Sequence, residues 1–335
     1  MPEIDFPVGV ATSIGSLPHG DPAIACRFVI NRQPRLPAVP QLPNRSPLER
    51  RLAQAAWGIA GVSVLPDGQI AIDHSALDPE APFTDDEFTG EPYTTLRVFI
   101  ESVSERVGPI KVQLTGPVTL GVALLESGVP IDLAFEVART AILTRAKALL
   151  AYLAANAPQA LPVVFVDEPG LRSCMEPDFP LAPEDAIDMV SSTLASLERC
   201  AITGLRCGGA ADWRLVLAAG PQILSVPLDA GIEKSVGALD QFLERGGWVA
   251  WGAVPNDGPM GTSNDRLWRK LTGAWCELVQ AGCDPVNIRR QAIITPAGGL
   301  GRHSVSQATE VFDITAELAD RLHDQAVGVH LTVGA

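Results

Sequence analysis

The chain has 335 residues, of which 47% are hydrophobic and 19% charged, a size and composition that fit a single α/β barrel with a large core. A formal net charge of −14, with lysines and arginines scattered along the sequence, argues against nucleic acid as a partner. The sequence has no run of about 20 apolar residues to span a membrane and begins without the pattern of a secretory signal, so we expect a cytoplasmic protein.

Short β-branched runs alternate with longer helical patterns, as in βα units around a parallel sheet. Strands are predicted at residues 8–13, 111–114, 163–166, 202–207, 222–226, 248–251 and 292–295. One helix is predicted to begin at Asp21-Pro22, and another at Ser46-Pro47, where Glu49 would complete a capping box and the helix would run to about residue 60. Further helices are predicted at residues 132–155, 183–199, 234–245, 264–281 and 305–326.

Two long connections lie between these elements. Residues 31–47 contain five prolines and are predicted to form an extended βα-loop near the active face, rather than a helix or a central strand. Residues 67–92 are acidic and are predicted to form a second loop at the solvent-exposed surface. The sequence has neither a GxGxxG motif nor a P-loop, so we expect no dinucleotide or nucleoside triphosphate. One domain, residues 1–335, is predicted.

Five segments share one layout, in which a hydrophobic strand runs directly into polar or small residues. They read ATSIGSLPHGDP, VQLTGPVTL, VVFVDEPGLR, GLRCGGAADW and AIITPAGGLGRH. In a barrel the carboxyl ends of the strands form the active face. We therefore expect the polar residues of these segments to meet at that face.

The strings IGSLPH, LTGPVT, VDEPGLR and TPAGGLG, in this order, resemble the cobalamin-independent methionine synthase family and its shorter single-barrel relatives. The strings AVPQLPNRSPLE, CGGAADW and GGWVAWGAVP are similar to a subgroup of those relatives that is labelled with both uroporphyrinogen decarboxylase and methionine synthase. The resemblance covers nearly the whole chain. It implies a (β/α)8 TIM barrel of the methionine synthase/uroporphyrinogen decarboxylase type.

The first segment supplies candidate substrate contacts. Gly15 lets the backbone approach a ligand closely, and Ser16 with its neighbouring N–H groups can bind a carboxylate. The resemblance gives this position to the carboxylate of the amino-acid substrate. His19 is either a titratable catalytic group or a loop histidine that caps the next helix.

The third segment places two carboxylates directly after a strand. Asp167 and Glu168 follow residues 163–166, where burial or a bound ammonium group would fix their charge state. The resemblance assigns Asp167 to the amino group of homocysteine, and both carboxylates are candidate substrate contacts. The structural alternative is an ion pair between Glu168 and Arg172 at a helix start.

The resemblance also implies a zinc ion, which that family holds with a His-x-Cys pair, a later glutamate and a final cysteine, and which activates the acceptor thiol. This sequence has Leu205-Arg206-Cys207 at the His-x-Cys position, and Gly298 replaces the final cysteine. The carboxylate nearest to the glutamate position is Asp229. Only Cys207 is retained, so we expect no zinc.

Two hypotheses for Cys207 follow from this departure. Asp229 and His303 would complete a metal site if all three side chains lie on one barrel face. Without a metal, Arg206 would lower the pKa of the Cys207 thiol, or would itself receive an anionic substrate.

Three functions remain open. The first is a methyl or other one-carbon transferase acting on a small thiol or amino acid such as homocysteine, with a methyl-folate or methyl-corrinoid as donor. The second is a zinc-independent decarboxylase or lyase of the uroporphyrinogen decarboxylase type, in which Arg172, Arg206 and Arg302 bind acidic groups. The third is a non-catalytic barrel that binds an amino acid or a one-carbon carrier. A homodimer, a corrinoid protein or another partner protein would assist the first.

Overall fold

A computed structural model describes residues 2, 4–81, 83, 88–256 and 263–333, with side chains as far as residue 326. Its strands are β1 (Val10–Ala11), β2 (Val62–Val64), β3 (Ile70–Ile72), β4 (Gly108–Thr115), β5 (Ala160–Asp167), β6 (Ile202–Arg206), β7 (Ile223–Pro227), β8 (Trp248–Val254) and β9 (Ala292–Pro296). Seven of them form a parallel sheet in the order β1-β9-β8-β7-β6-β5-β4, and all seven were predicted from the sequence.

Helices follow most of these strands. They are α1 (Pro22–Arg32), α2 (Arg51–Ala56), α3 (Thr94–Ser102), α4 (Pro117–Glu126), α5 (Ile131–Asn156), α6 (Pro183–Leu197), α7 (Trp213–Ala218), α8 (Val236–Glu244), α9 (Asn264–Gln280), α10 (Asn287–Arg290) and α11 (Val305–Val333). Helix α1 begins as predicted, because a carboxylate oxygen of Asp21 accepts a hydrogen bond from the N–H of Ile24 at 2.9 Å. In the described part of the chain no helix combines the length and the apolar character that a membrane span requires.

The parallel sheet is curled, so that one of its faces encloses an apolar interior. Side chains from strands far apart in the sheet meet there, including Val10 of β1, Phe165 of β5, Ile223 of β7 and Ile293 of β9. The residues that alternate with them, such as Val164 and Val166 of β5, belong to the larger cluster packed against the helices. The side chain of each residue at a strand end therefore faces either the interior or the helices.

The two edge strands, β1 and β4, are linked through residues 38–41. The N–H of Val39 donates to the carbonyl of Lys111 in β4 at 2.8 Å, and the N–H of Gln41 donates to the carbonyl of Gly15 at 3.0 Å. These contacts form isolated parallel bridges on both sides of the segment. Residues 38–41 are extended, and the bridges that they make to both edge strands were not predicted.

The proline spacing explains how this segment joins the sheet. Pro37 and Pro40 have no N–H to donate, but the N–H groups that make the bridging bonds belong to Val39 and Gln41. The carbonyl of Pro37 also accepts a hydrogen bond from the N–H of Lys111 at 2.9 Å. Hence none of these hydrogen bonds requires an N–H group from a proline. They also limit the segment to a short extended stretch.

The predicted loop at residues 67–92 also contains regular structure. Strands β2 and β3 pair as an antiparallel hairpin outside the main sheet. Pro66-Asp67-Gly68 supplies the turn residues, and Gly68 has a positive φ of 84°. The hairpin was missed because each strand has only three residues. Residues 82 and 84–87 of this loop lie outside the described residues.

The predicted capping box at Ser46 and Glu49 does not form. The Ser46 hydroxyl caps a single 3-10 turn, after which α2 ends well before residue 60. The Glu49 carboxylate is fully buried and instead accepts hydrogen bonds from the N–H of Leu42 at 2.8 Å and the hydroxyl of Thr95 at 2.7 Å. It also pairs with Arg45 at 2.9 Å. Burial raises the pKa of Glu49.

Replacement of Gly15 by alanine tests the junction between β1 and residues 38–41. Gly15 has a φ of 135°, and a Cβ there would lie 2.4 Å from Nε2 of Gln113, which donates to the carbonyl of Val39 at 2.9 Å. We expect Gly15→Ala to lower the free energy of unfolding by about 1–3 kcal/mol in urea titrations. Gly20→Ala is the control, since no atom lies within 4 Å of its added Cβ. An equal effect of both substitutions would contradict this account.

Candidate functional site

A cavity of about 690 Å³ opens at the carboxyl ends of the parallel strands. It is bounded by residues that end or follow β1, β5, β6, β8 and β9, together with residues 41–51. Its polar lining includes Ser16, Asp167, Arg206, Asn256, Arg302 and His303. Active sites in parallel α/β proteins lie at this edge.

A second cavity, of about 710 Å³, lies at the opposite edge of the sheet. Its lining includes Gln222 and Trp248, which are next to the amino ends of β7 and β8. None of the residues predicted to be functional lines it. We therefore take the cavity at the carboxyl ends as the candidate functional site, although it is slightly smaller.

Asp167 and Arg206 are the oppositely charged groups at the centre of the site. They end the neighbouring strands β5 and β6, and they are register partners. Asp167 is 6% exposed and Arg206 is 8% exposed, and both line the cavity. Among the described residues, neither side chain has a hydrogen-bond or ion-pair partner, so the two charges face the cavity without neutralising each other at close range. Buried charges of this kind are costly unless a ligand pairs with them.

Lys111 is a buried charged residue that was not predicted from the sequence, and it is not among the residues that line the cavity. It points into the interior from β4, is 3% exposed, and donates from Nζ to the carbonyl of Ile14 at 3.1 Å. Its Nζ also lies 4.8 Å from the ring centroid of Phe165. Burial lowers the pKa of Lys111 to about 8; the charge of Asp167 raises that pKa, and the charge of Arg206 lowers it further. Lys111 thus supplies a positive charge near Asp167.

The sequence contains a pattern that predicts which face of the sheet the Lys111 side chain occupies. In the run Ile110-Lys111-Val112-Gln113-Leu114 the apolar residues alternate with polar ones, and the structure packs the apolar set toward the helices. Strict alternation places the side chain of Lys111 on the interior face.

Gly15 and Ser16 follow β1 at the edge of the sheet where the cavity opens. Ser16 lines it, and its carbonyl accepts a hydrogen bond from the N–H of Leu300 at 2.9 Å. A Cβ added at Gly299 would lie 2.1 Å from the hydroxyl of Ser16. The loops after β1 and β9 therefore approach each other closely, and glycine at position 299 leaves room for this contact.

His19 is not among the residues that line the cavity. Its ring packs against Phe28 of α1 at a centroid distance of 4.8 Å, and it is 5% exposed. Burial lowers the pKa of His19, and the nearby charge of Arg32 lowers it further. The structure does not bring it together with Asp167. The cap of α1 is Asp21, so His19 does not fill that role either.

Glu168 points away from the cavity, toward the start of α4. It is fully buried, and one carboxylate oxygen accepts hydrogen bonds from the N–H and the hydroxyl of Thr119, the latter at 2.6 Å. Gly116, the N-cap residue of α4, has no side chain to do this, so Glu168 caps the helix from the neighbouring strand. Glu168 and Arg172 form no ion pair within the described residues, so the structural alternative for Glu168 is not observed.

The environment of Glu168 favours its protonated form. Burial raises its pKa to about 8, and the charge of Asp167 raises it further, while the hydrogen bonds from Thr119 oppose the shift. The folded state therefore binds a proton that an unfolded chain has released at neutral pH. The free energy of unfolding therefore falls as the pH rises from about 4.5 toward 8.

Replacement of Glu168 by glutamine keeps the acceptor oxygen and removes the titration. We expect the unfolding free energy of the wild type, relative to Glu168→Gln, to fall by up to about 1.4 kcal/mol per pH unit between pH 5 and 8. Urea titrations at each pH measure it. Glu184→Gln, at an exposed acid in the first turn of α6, controls for loss of a carboxylate. A difference that does not vary with pH would show that Glu168 is ionised throughout this range.

Cys207 also faces the helices rather than the cavity. It is fully buried and belongs, with Leu205, to the cluster between the sheet and the helices. Burial raises the pKa of the Cys207 thiol, and the charge of Glu168 raises it further; the charge of Arg206 opposes these effects only in part. The expectation that Arg206 would activate this thiol was therefore wrong.

The remaining candidates do not assemble a zinc site with Cys207. Asp229 is exposed and pairs with Lys270 at 2.7 Å, whereas His303 lines the cavity and its Nε2 contacts the carbonyl of Asn256. The part of the chain that the structure describes contains no group of three or more histidine, cysteine, aspartate or glutamate side chains that could hold a metal ion. These residues do not fit the zinc site that the resemblance implies.

The three arginines predicted to bind acidic groups occupy different places. Arg206 is the buried residue already described, and Arg302 is exposed at the rim of the cavity. Arg172 is exposed outside the cavity, where its Nε would lie 2.7 Å from a Cβ added at Gly209. Only Arg206 and Arg302 are placed to contact a ligand in this site.

Comparison with solved structures shows a related fold. The chain is similar to a B12-independent methionine synthase from Shewanella sp. W3-18-1, whose structure was solved in complex with selenomethionine. The two chains share 13% sequence identity with a TM-score of 0.58, and the match covers 96% of this chain and 99% of the other. No protein-family model and no curated protein matches the chain. At this identity the similarity establishes the α/β fold with its curled parallel sheet.

Proposed function

We propose that this chain is an enzyme that binds a small zwitterionic amino acid, such as homocysteine, between Asp167 and Arg206 and transfers a methyl group to it. The observation that carries the proposal is the pair of buried, unpartnered and opposite charges on one row of the cavity wall. In the same proposal the fold is a (β/α)8 barrel, in which residues 38–41 take the place of a strand between β1 and β4.

The chemistry of the two charged groups matches an α-amino acid. The carboxylate of Asp167 would accept hydrogen bonds from the ammonium group, and the guanidinium of Arg206 would donate two to the carboxylate. The Ser16 hydroxyl, which also lines the cavity, would be a further donor to that carboxylate. The site thus binds both ends of the amino acid and leaves its side chain directed into the remaining volume.

The methyl donor would occupy that remaining volume. A cavity of about 690 Å³ is in the range that holds drug-sized ligands, so it has room for more than a four-carbon amino acid. A methyl-folate, or a methyl-corrinoid delivered by a partner protein, would supply the methyl group when bound. The proposed transfer does not use Cys207, and it assigns no step to a protein-held zinc ion. In the proposal, this chain orients the acceptor and excludes water around it.

A metal-independent decarboxylase or lyase is the second candidate. It is favoured by the excess of arginine over carboxylate in the cavity lining, which suits an acidic substrate. It uses the same residues, since Arg206 and Arg302 would bind the acidic groups. The two reactions differ in their products, which are a methylated acceptor in one case and carbon dioxide or a cleaved acid in the other. A non-catalytic barrel would bind the amino acid and form neither product.

Substitution of Asp167 by asparagine tests the ammonium site. We expect Asp167→Asn to weaken homocysteine binding at least thirtyfold in calorimetry, because it removes the charge that pairs with a desolvated ammonium group. The variant should also lose any preference for homocysteine over 4-mercaptobutanoate, which lacks the amino group. Glu168→Gln is the matched control, since this neighbouring carboxylate faces α4 and should leave affinity within twofold. Equal binding by wild type and Asp167→Asn would refute the assignment.

A further inference from the structure

The charge of the cavity lining is opposite in sign to that of the whole protein. The chain carries a formal net charge of −14. The formal charges of the lining come from four arginines and two carboxylates, an excess of two positive charges: Arg50, Arg51, Arg206, Arg302, Asp167 and Glu49. An electropositive cleft in an acidic protein concentrates anions.

Two of these groups already have partners within the protein. Glu49 is enclosed by Arg45, the N–H of Leu42 and the side chain of Thr95. Arg50 donates to the carbonyl of Asp67 at 3.1 Å. Hence the ligand meets chiefly the remaining four charges of the lining. They are the arginines at 51, 206 and 302 and the carboxylate at 167.

An α-amino acid head would neutralise only two of those four. Asp167 takes the ammonium group and Arg206 takes the carboxylate, which leaves Arg51 and Arg302. Neither of these two guanidinium groups has a hydrogen-bond or ion-pair partner among the described residues. Both are exposed at the cavity rim, where they are free to reach a group at the far end of a bound molecule.

The backbone around both rim arginines is fixed to the sheet. The carbonyl of Arg51 accepts a hydrogen bond from the hydroxyl of Thr115 at 2.9 Å, and Thr115 is the register partner of Asp167. Arg302 follows Leu300, whose N–H donates to the carbonyl of Ser16 at 2.9 Å. The two side chains therefore start from defined positions beside the amino-acid site.

We infer that the substrate of this site carries a second anionic group, a carboxylate or a phosphate at the end of its side chain, and that Arg51 and Arg302 bind it. The inference rests on the amino-acid site of the proposed function, and not on homocysteine as the acceptor. It names the substrate class as an acidic amino acid, which is the class that the second candidate, a decarboxylase or lyase, would take. Guanidinium groups pair with carboxylate and with phosphate oxygens in the same forked geometry, so both anions fit.

Calorimetry with three amino-acid probes tests this inference. Homoserine has no second acid, 2-aminoadipate adds a carboxylate, and O-phosphohomoserine adds a phosphate. We expect the wild type to bind one of the two acidic probes at least tenfold more tightly than homoserine. The acid that binds more tightly shows whether the two arginines favour a carboxylate or a phosphate.

Variants then show which residues are responsible for the tighter binding of the acidic probe. The double variant Arg51→Gln/Arg302→Gln should lose that tenfold gain and leave homoserine affinity within twofold. Arg172→Gln, at an exposed arginine outside the cavity, is the control and should change neither affinity.

The outcomes separate this inference from the function on which it rests. If homoserine binds and neither acid improves affinity, the second-anion inference is wrong and the amino-acid site stands. If the double variant weakens binding of methyltetrahydrofolate but not of the acidic probes, the rim arginines serve the donor and the inference is again wrong. If no probe binds, both the proposed function and this inference are overturned.

Discussion

The alternation of side chains at the ends of β5 and β6 is the constraint on which the site depends. Neighbouring residues on a strand face opposite sides of the sheet, so a step of one residue moves a side chain from the cavity to the helix layer. Asp167 and Arg206 face the cavity, whereas Glu168 and Cys207 face the helices. Chemically similar neighbours thus differ in function: one carboxylate is available to a ligand, and the next caps a helix.

The same alternation explains what the sequence could and could not predict. All seven parallel strands were found, because their β-branched runs stand between clear helical patterns. Strands buried on both faces, such as residues 163–166, give no polar alternation that shows which side points inward. Cys207 was therefore chosen by motif position alone, and its orientation was wrong for a ligand in the cavity. Residues 38–41 were missed as part of the sheet, because prolines normally exclude a central strand.

The energetics of the interior favour a functional rather than a structural reading of Asp167, Arg206 and Lys111. A buried charge without a close partner lowers the stability of the folded protein, and apolar residues would fill the same space without that cost. Lys111 makes a single hydrogen bond to protein among the described residues, and its pKa is lowered by burial. Violations of the ordinary rules of packing are expected at sites that bind ligands. In the proposed complex, the ammonium and carboxylate groups of a zwitterion would pair with Asp167 and Arg206.

The position of a bound amino acid is the most direct test of this account. A crystal structure of the chain soaked with selenomethionine would locate the ligand, because anomalous scattering marks the selenium. The account predicts an ammonium nitrogen within about 3 Å of the Asp167 carboxylate and a ligand carboxylate paired with Arg206. A ligand bound at the opposite cavity beside Trp248, or bound in this cavity without contact to either charge, would contradict it.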